Sequence, residues 1–304
     1  MKRTLFITLF LSIFSFNSIV SADVKVVTSI KPIHSLAAYV MDGVGKPNVI
    51  VDVYNSPHGF SLKPSHAKMI ENADLIIWVG EDLEAFLEKP LDSIAKKAKK
   101  VELMDLKGIK KLKFREKNIF EGHDDHDDHA GHEGHHHGEH DPHIWLDPMN
   151  AKVILNEMAE HLIENDAKNA SKYKSNLKKA LKDIDKLVSD VSSELNQSVA
   201  SIVFHDAYQY FEKRFNVNIL GAFTVNTDVM PGAEQLAEIR EIIEHDKVAC
   251  VFSEPQFNPN IIKAVAKDMN IKTGVVDPLG ATLDPGKDLY FDLIRNMSKS
   301  FKGC

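Results

Sequence analysis

Residues 167–195 constrain the fold of this chain more than any other stretch. They are nearly all helix formers and include neither Gly nor Pro. Tyr173, Leu177, Ala180, Leu181, Ile184, Leu187, Val188 and Val191 recur at steps of three and four, one continuous apolar stripe on a helix. At about 1.5 Å per residue such a helix spans roughly 40 Å. A rod of that length in mid-chain predicts a connector between two bodies, and it would limit their hinge motion.

The flanking segments support two similar bodies. Between Val24 and Lys111, short apolar runs alternate with helical stretches, the pattern of βαβ units around a parallel sheet. Strands are predicted at Val24–Ile30, Val49–Tyr54, Leu75–Val79 and from Val101, with helices over 32–41, 64–72 and 83–97. After the rod the order repeats. Strands are predicted at Ser201–Phe204, Ile219–Thr224, Val248–Phe252 and Thr273–Val276, with helices over 207–214, 232–244, 259–269 and 289–301. LKPSHA at 62–67 stands where VMPGA stands at 229–233. The predicted fold is α/β: two similar (β/α) lobes with parallel sheets, joined by a long rigid helix, with a ligand site in the cleft. The boundaries follow as a 1–22 leader, a 23–166 lobe, a 167–196 linker helix and a 197–304 lobe.

The leader reads as an export signal. Lys2 and Arg3 precede an apolar run from Leu5 to Val20, and Val20-Ser21-Ala22 supplies small residues for cleavage after Ala22. The run is short for a membrane span of about 20 residues. No cysteine near the cut offers a lipid anchor, so a soluble protein of a Gram-negative periplasm is expected. Losing Lys2 and Arg3 takes the net charge from −7 to −9. That balance argues against a nucleic-acid partner and suits a protein that attracts cations. Cys250 and Cys304 are the two cysteines, and an oxidising compartment favours pairing them. Thiolate metal ligation is the alternative.

The chemistry announces itself at 121–143, EGHDDHDDHAGHEGHHHGEHDPH, which holds nine of the fifteen histidines. Imidazole is the commonest ligand for zinc and similar metals. His123, His126, His129, His132, His135, His136, His137 and His140 are therefore accessory metal ligands on a loop, 121–142, that lacks the apolar residues to pack. His132-Glu133-Gly134-His135-His136 spells HExxH, but that zinc-protease motif works only on a helix. Gly131, Gly134 and Gly138 deny it one.

A better-formed site is expected elsewhere. In open α/β sheets, ligands bind beyond the carboxyl ends of the strands. His58 and His205 follow predicted strands there, His143 marks the return of ordered chain, and Asp277 follows the last strand. Three imidazoles plus one carboxylate or water match a tetrahedral zinc shell. His66, His161 and His245 fall on helix faces and are expected to be solvated. His34, in the first βα turn, is expected beside the site or at the surface.

NSPHGFSLKPS, the His-rich insert before DPHIWLDP, FHDAYQYFEKRF, TVNTDVMPGAEQL, CVFSEPQF and VDPLG together resemble the zinc-uptake substrate-binding proteins of bacterial ABC importers. The resemblance runs over essentially the whole mature chain. It implies two lobes holding Zn²⁺ between them, with His58, His143 and His205 as ligands. Asp277 matches a ligand of manganese-binding relatives, and Cys250 and Cys304 match a pair bridged in some members. Some members carry a Glu just before the histidine matching His58; this chain has Pro57. The fourth ligand stays open among water, Asp277 and a histidine of the tract.

The implied function is capture of Zn²⁺ and delivery to an ABC permease with its cytoplasmic ATPase, with an accessory periplasmic zinc chaperone as a further partner. A monomer and no enzyme activity are expected. One rival is a periplasmic zinc buffer. The other is a zinc hydrolase, which would need Asp206 or Glu254 as its base. Affinity is expected to fall as pH drops through about 6.5, because protonated imidazole does not bind metal.

Overall fold

The structure, a computed structural model, describes residues 24–52, 54–120, 138–195, 199–225, 227, 229 and 231–304. The expected leader (1–22) and seven tract histidines, His123, His126, His129, His132, His135, His136 and His137, lie outside the described residues.

The first lobe runs β1 (Val26–Ile30), α1 (Lys31–Val40), β2 (Asn48–Val51), α2 (Pro64–Glu71), β3 (Leu75–Trp78), α3 (Glu81–Ser93) and β4 (Lys99–Glu102). The second runs β5 (Ser201–His205), α6 (Gln209–Phe215), β6 (Ile219–Thr224), α7 (Ala233–His245), β7 (Cys250–Ser253), α8 (Asn260–Met269), β8 (Lys272–Val275) and α9 (Leu289–Lys302). Each lobe is a four-stranded, wholly parallel sheet, in the orders β2-β1-β3-β4 and β6-β5-β7-β8. The alternation of strands and helices repeats as the pattern predicted, and the two sheets also share one strand order. β1, β3 and β5 are buried along their whole length, which is why they read as continuous apolar runs.

Two differences concern helices. Pro148–Asn165 forms an 18-residue helix, α4; the sequence reading placed His161 on a helix face but gave that helix no bounds. Its start carries a recognisable signal: Asp147 accepts the Met149 N–H at 2.9 Å, and Pro148 occupies the first helical position. The rod itself begins with a 3-10 turn, Ala167–Asn169, followed by α5 (Ala170–Glu194). From the predicted stripe Tyr173, Ala180, Ile184, Leu187 and Val191 are buried, while Leu177, Leu181 and Val188 pack at its margin.

α5 is more than a strut. It packs along α4, α1 and α9, and Asn176 donates to the carbonyls of Val40 and Asp42, each at 2.9 Å. One contiguous hydrophobic core runs from β1 through α5 to α9, so apolar packing spans both lobes. Across the same seam the Lys31 ammonium donates to the carbonyls of Ala281 (3.1 Å) and Leu283 (2.6 Å). The disulfide pairs Cys250 with Cys304, Cα atoms 5.8 Å apart, tying the end of the chain to β7. Among the described residues, no helix is long and apolar enough to cross a membrane.

The segment 109–120 leaves the first lobe and straps onto the second. Asn118 Nδ2 donates to the Phe223 carbonyl, the Phe120 N–H to Leu220 and the Ala222 N–H to Asn118. These bonds add a short antiparallel bridge beside β6. Gly221 permits it, since a Cβ there would lie 2.7 Å from the Asn118 carbonyl oxygen.

Candidate metal centre

His58, His143 and His205 converge from three separate places. His205 ends β5, His58 lies in the loop after β2, and His143 immediately precedes the 3-10 turn Ile144–Leu146. One ring nitrogen from each lies within 4.8 Å of the others. His143 and His205 are buried; His58 is half-buried.

Two carboxylates orient the buried pair. Asp141 Oδ1 lies 2.7 Å from His143 Nδ1 and also accepts the His143 backbone N–H at 3.0 Å. Glu254 Oε1 lies 2.7 Å from His205 Nδ1. An ionised carboxylate only accepts, so each Nδ1 carries the proton and each Nε2 keeps a lone pair. Those two Nε2 atoms stand 3.4 Å apart. Two acceptors cannot bond to each other; a proton or cation between them satisfies both. Two nitrogens on a tetrahedral zinc with bonds of about 2.0–2.1 Å lie about 3.3–3.4 Å apart. That pair has the spacing of two zinc ligands, and the His58 nitrogen lies within 4.8 Å of both.

The carboxylates are themselves held. The Asp141 N–H donates to the Leu112 carbonyl at 2.9 Å, and the Tyr210 hydroxyl donates to the Asp141 carbonyl at 2.7 Å. Glu254 follows β7 directly, and β7 neighbours β5, so the His205–Glu254 pair spans adjacent strands at the point where connections reverse direction. Trp145, fully buried with its ring 5.3 Å from His143, donates Nε1–H to the Pro278 carbonyl at 2.8 Å. Asp147 receives Arg214 through two bonds of 2.7 and 2.8 Å, pinning the chain after His143 to α6.

The electrostatics follow from burial. Burial, then the charge of His205, holds the His143 imidazole well below the usual range. Burial also pulls His205 down, but the charge and hydrogen bond of Glu254, with Asp206 and Asp141, leave it raised. Burial pushes Asp141 up to about 7 against the pull of the His143 N–H, Arg115 and His205. Asp206 also reaches about 7 through burial, although Arg115 donates to it at 3.0 Å.

Asp277, the fourth candidate, is engaged by its own turn. Its Oδ1 accepts the N–H groups of Leu279 and Gly280 and the Gln256 amide, and its Oδ2 accepts the Ala281 N–H at 2.6 Å. A carboxylate saturated by four donors has little left for a metal, and Asp277 stands outside the histidine group. It shapes the turn that presents the Pro278 carbonyl to Trp145. His66 and His161 differ from expectation, being buried rather than solvated. The His66 ring stacks on Phe60 and accepts the Lys63 N–H; His161 sits between Glu157 and Glu164. His245 is exposed, as expected. His34 is buried and bonds to the Pro47 carbonyl. Asp206 and Glu254, the bases a hydrolase would need, are engaged by Arg115 and His205.

Comparison with known proteins decides the family. Residues 26–304 match the family model described as ZnuA, zinc-uptake complex component A, periplasmic. The chain belongs to that family. Among curated relatives, the high-affinity zinc uptake system protein ZnuA of Brucella abortus is 45% identical, covering 97% of this chain and 96% of that protein. The protein of the same name from Yersinia pestis is 37% identical, covering 93% and 92%. In fold, the chain resembles a crystal structure of ZnuA with a TM-score of 0.77, at 21% identity over 93% of this chain and 99% of that one. It also resembles the laminin-binding adhesin of Streptococcus agalactiae, with a TM-score of 0.74 at 22% identity over 91% and 99%. For a ZnuA family member, the sequence reading missed Asp141 as the partner of His143 and the orienting role of Glu254. Asp141 stands two residues before His143, a local spacing that could have drawn notice.

Proposed function

We propose that this protein is the zinc-capturing component of a periplasmic uptake system, holding one Zn²⁺ on His58, His143 and His205 with water in the fourth position. The single observation that carries the reading is the pair of carboxylate-oriented Nε2 atoms 3.4 Å apart. Zn²⁺ is cargo here, so binding without covalent chemistry is sufficient. Two lobes sharing a continuous core favour local loop adjustment around the ion over wide hinge closure.

The remaining expectations belong to the same proposal. The chain is exported and cut after Ala22, works as a monomer, and passes its ion to an ABC permease driven by a cytoplasmic ATPase. An accessory periplasmic chaperone can load it. The boundaries at 167–196 separate lobes 23–166 and 197–304, and the histidines from His123 to His140 collect further zinc. Calorimetric titration with Zn²⁺ tests the core of this. One tight site is expected in the intact mature protein and in a version lacking 121–140, with weaker sites only in the former. Tight binding that survives His58→Ala and His205→Ala, or vanishes with the tract, overturns the assignment.

A further inference from the structure

Lys31 opens α1, and its side chain is buried on the seam between the lobes, 4% exposed. Lysine is almost never buried so far without a partner. Here the partners are two backbone carbonyls of the other lobe, Ala281 and Leu283. Burial pulls the ammonium below its ordinary range, and Asp277, Asp284 and Asp52 pull the other way. A methionine of like shape would fill the same space without taking a charge out of water. Packing alone does not call for the ammonium.

Both carbonyls belong to the turn between β8 and α9, which hydrogen bonds tie into one unit. The Asp277 carboxylate accepts the N–H groups of Leu279, Gly280 and Ala281. That unit reaches the histidine group on two sides. The Pro278 carbonyl accepts Trp145 Nε1–H at 2.8 Å, and the Trp145 ring lies 5.3 Å from that of His143. Gln256, two residues beyond the Glu254 that holds His205, donates to Asp277 at 2.9 Å. Pro278 and Leu279 also line, with all three histidines, a cavity of about 10 Å³. So small a space holds at most one water, and the turn is therefore a close wall behind the histidines. From these contacts we infer that Lys31 is a positioning residue for zinc. Its ammonium clamps the 277–283 turn of the second lobe, and through that turn it fixes how His143 and His205 stand to each other. The inference rests on the reading of the three histidines as the zinc site. Ligand sets tolerate displacements of only about 0.5 Å, so a wall released by that clamp lowers affinity.

Competition titration of Zn²⁺ against a chelator tests this on the mature full chain, with urea unfolding of the zinc-free protein alongside. Lys31→Met keeps the buried stem and removes the donor. Zinc affinity is expected to fall by about tenfold, the lower end for groups that support ligating histidines. Trp145→Phe cuts one of the two connections by removing the N–H that meets Pro278. In that background Lys31→Met is expected to cost only about threefold, because the two changes share a path. Affinity unchanged by Lys31→Met, with stability lowered, would make Lys31 a fastener of the lobes and overturn the inference. An equal loss of affinity in both backgrounds would overturn the path through the turn, and the inference with it. Should Lys31→Met fail to fold, Lys31→Gln, which keeps a donor on a shorter stem, is read by the same two refuting results. An unmutated protein without a tight site would overturn the zinc reading itself, whereas tight binding indifferent to Lys31 overturns this inference alone.

Discussion

Glu254→Gln isolates what orientation contributes to metal binding. Glu254 holds His205 by a 2.7 Å contact to Nδ1 and a longer 3.4 Å bond from its backbone N–H, and it is 3% exposed. At that burial solvent screens the pair weakly, and a hydrogen bond to a charged group is worth about 1.5–3 kcal/mol. At about 1.4 kcal/mol per decade, that is roughly a 10- to 100-fold loss of zinc affinity, the range seen when partners of ligating histidines are removed. The glutamine carbonyl can still accept the Nδ1 proton, which places the expectation at the lower end. Competition titration against a chelator of known affinity reads the change, and urea unfolding of the zinc-free protein reads stability. The refuting result is affinity within about threefold of the parent, or a loss matched in size by destabilised folding. A His205→Ala background sharpens the test: there the Glu254 change should cost nothing further, because the interaction it removes is already gone.

Two further outcomes concern the fold. Cys304→Ser opens a loop of about 55 residues, worth roughly 4 kcal/mol in chain entropy. A large drop in denaturation midpoint is expected with zinc stoichiometry unchanged, and an unshifted midpoint would deny the bridge a stabilising role. Glu84 is fully buried at the start of α3, accepting the Val79 and Gly80 N–H groups, and burial pushes its carboxyl from 4.5 up to about 7. A raised folded-state value means its contribution is complete below about pH 4.5 and is lost as pH climbs to about 7, by up to about 3 kcal/mol. Urea titrations from pH 5 to 8 should show zinc-free protein weakening over that window, and Glu84→Gln should flatten the slope; equal slopes would refute it.

How far the sequence could be read differs by distance along the chain. Strands announce themselves because burial on both faces makes an uninterrupted apolar run, as in LIIW at 75–78. Their ends are softer: β2 stops at Val51 rather than Tyr54 as the chain turns, with Asn55 Nδ2 bonding back to the Asp52 carbonyl. α4 was expected only as the helix face that carries His161, without bounds, although Asp147-Pro148 marks its start. The strap at 109–120 carried no periodicity at all, because a single antiparallel bridge and a few backbone bonds define it.

The amino-acid order alone determined the repeated α/β plan, the long central helix, metal as the ligand and three histidines as candidates to hold it. Each of these rests on periodicity or on residue chemistry, which neighbours in sequence suffice to express. Tertiary structure decided what each polar group does. His205 and Glu254 are 49 residues apart, His143 and His205 are 62, and only the pairing of β5 with β7 and the return of the chain at His143 to the end of β5 make them partners. Packing likewise engages Asp277, whose carboxylate accepts four donors from its own turn and from Gln256. Hydrogen-bond saturation is a property of packed neighbours in space, and spacing along the chain does not encode it.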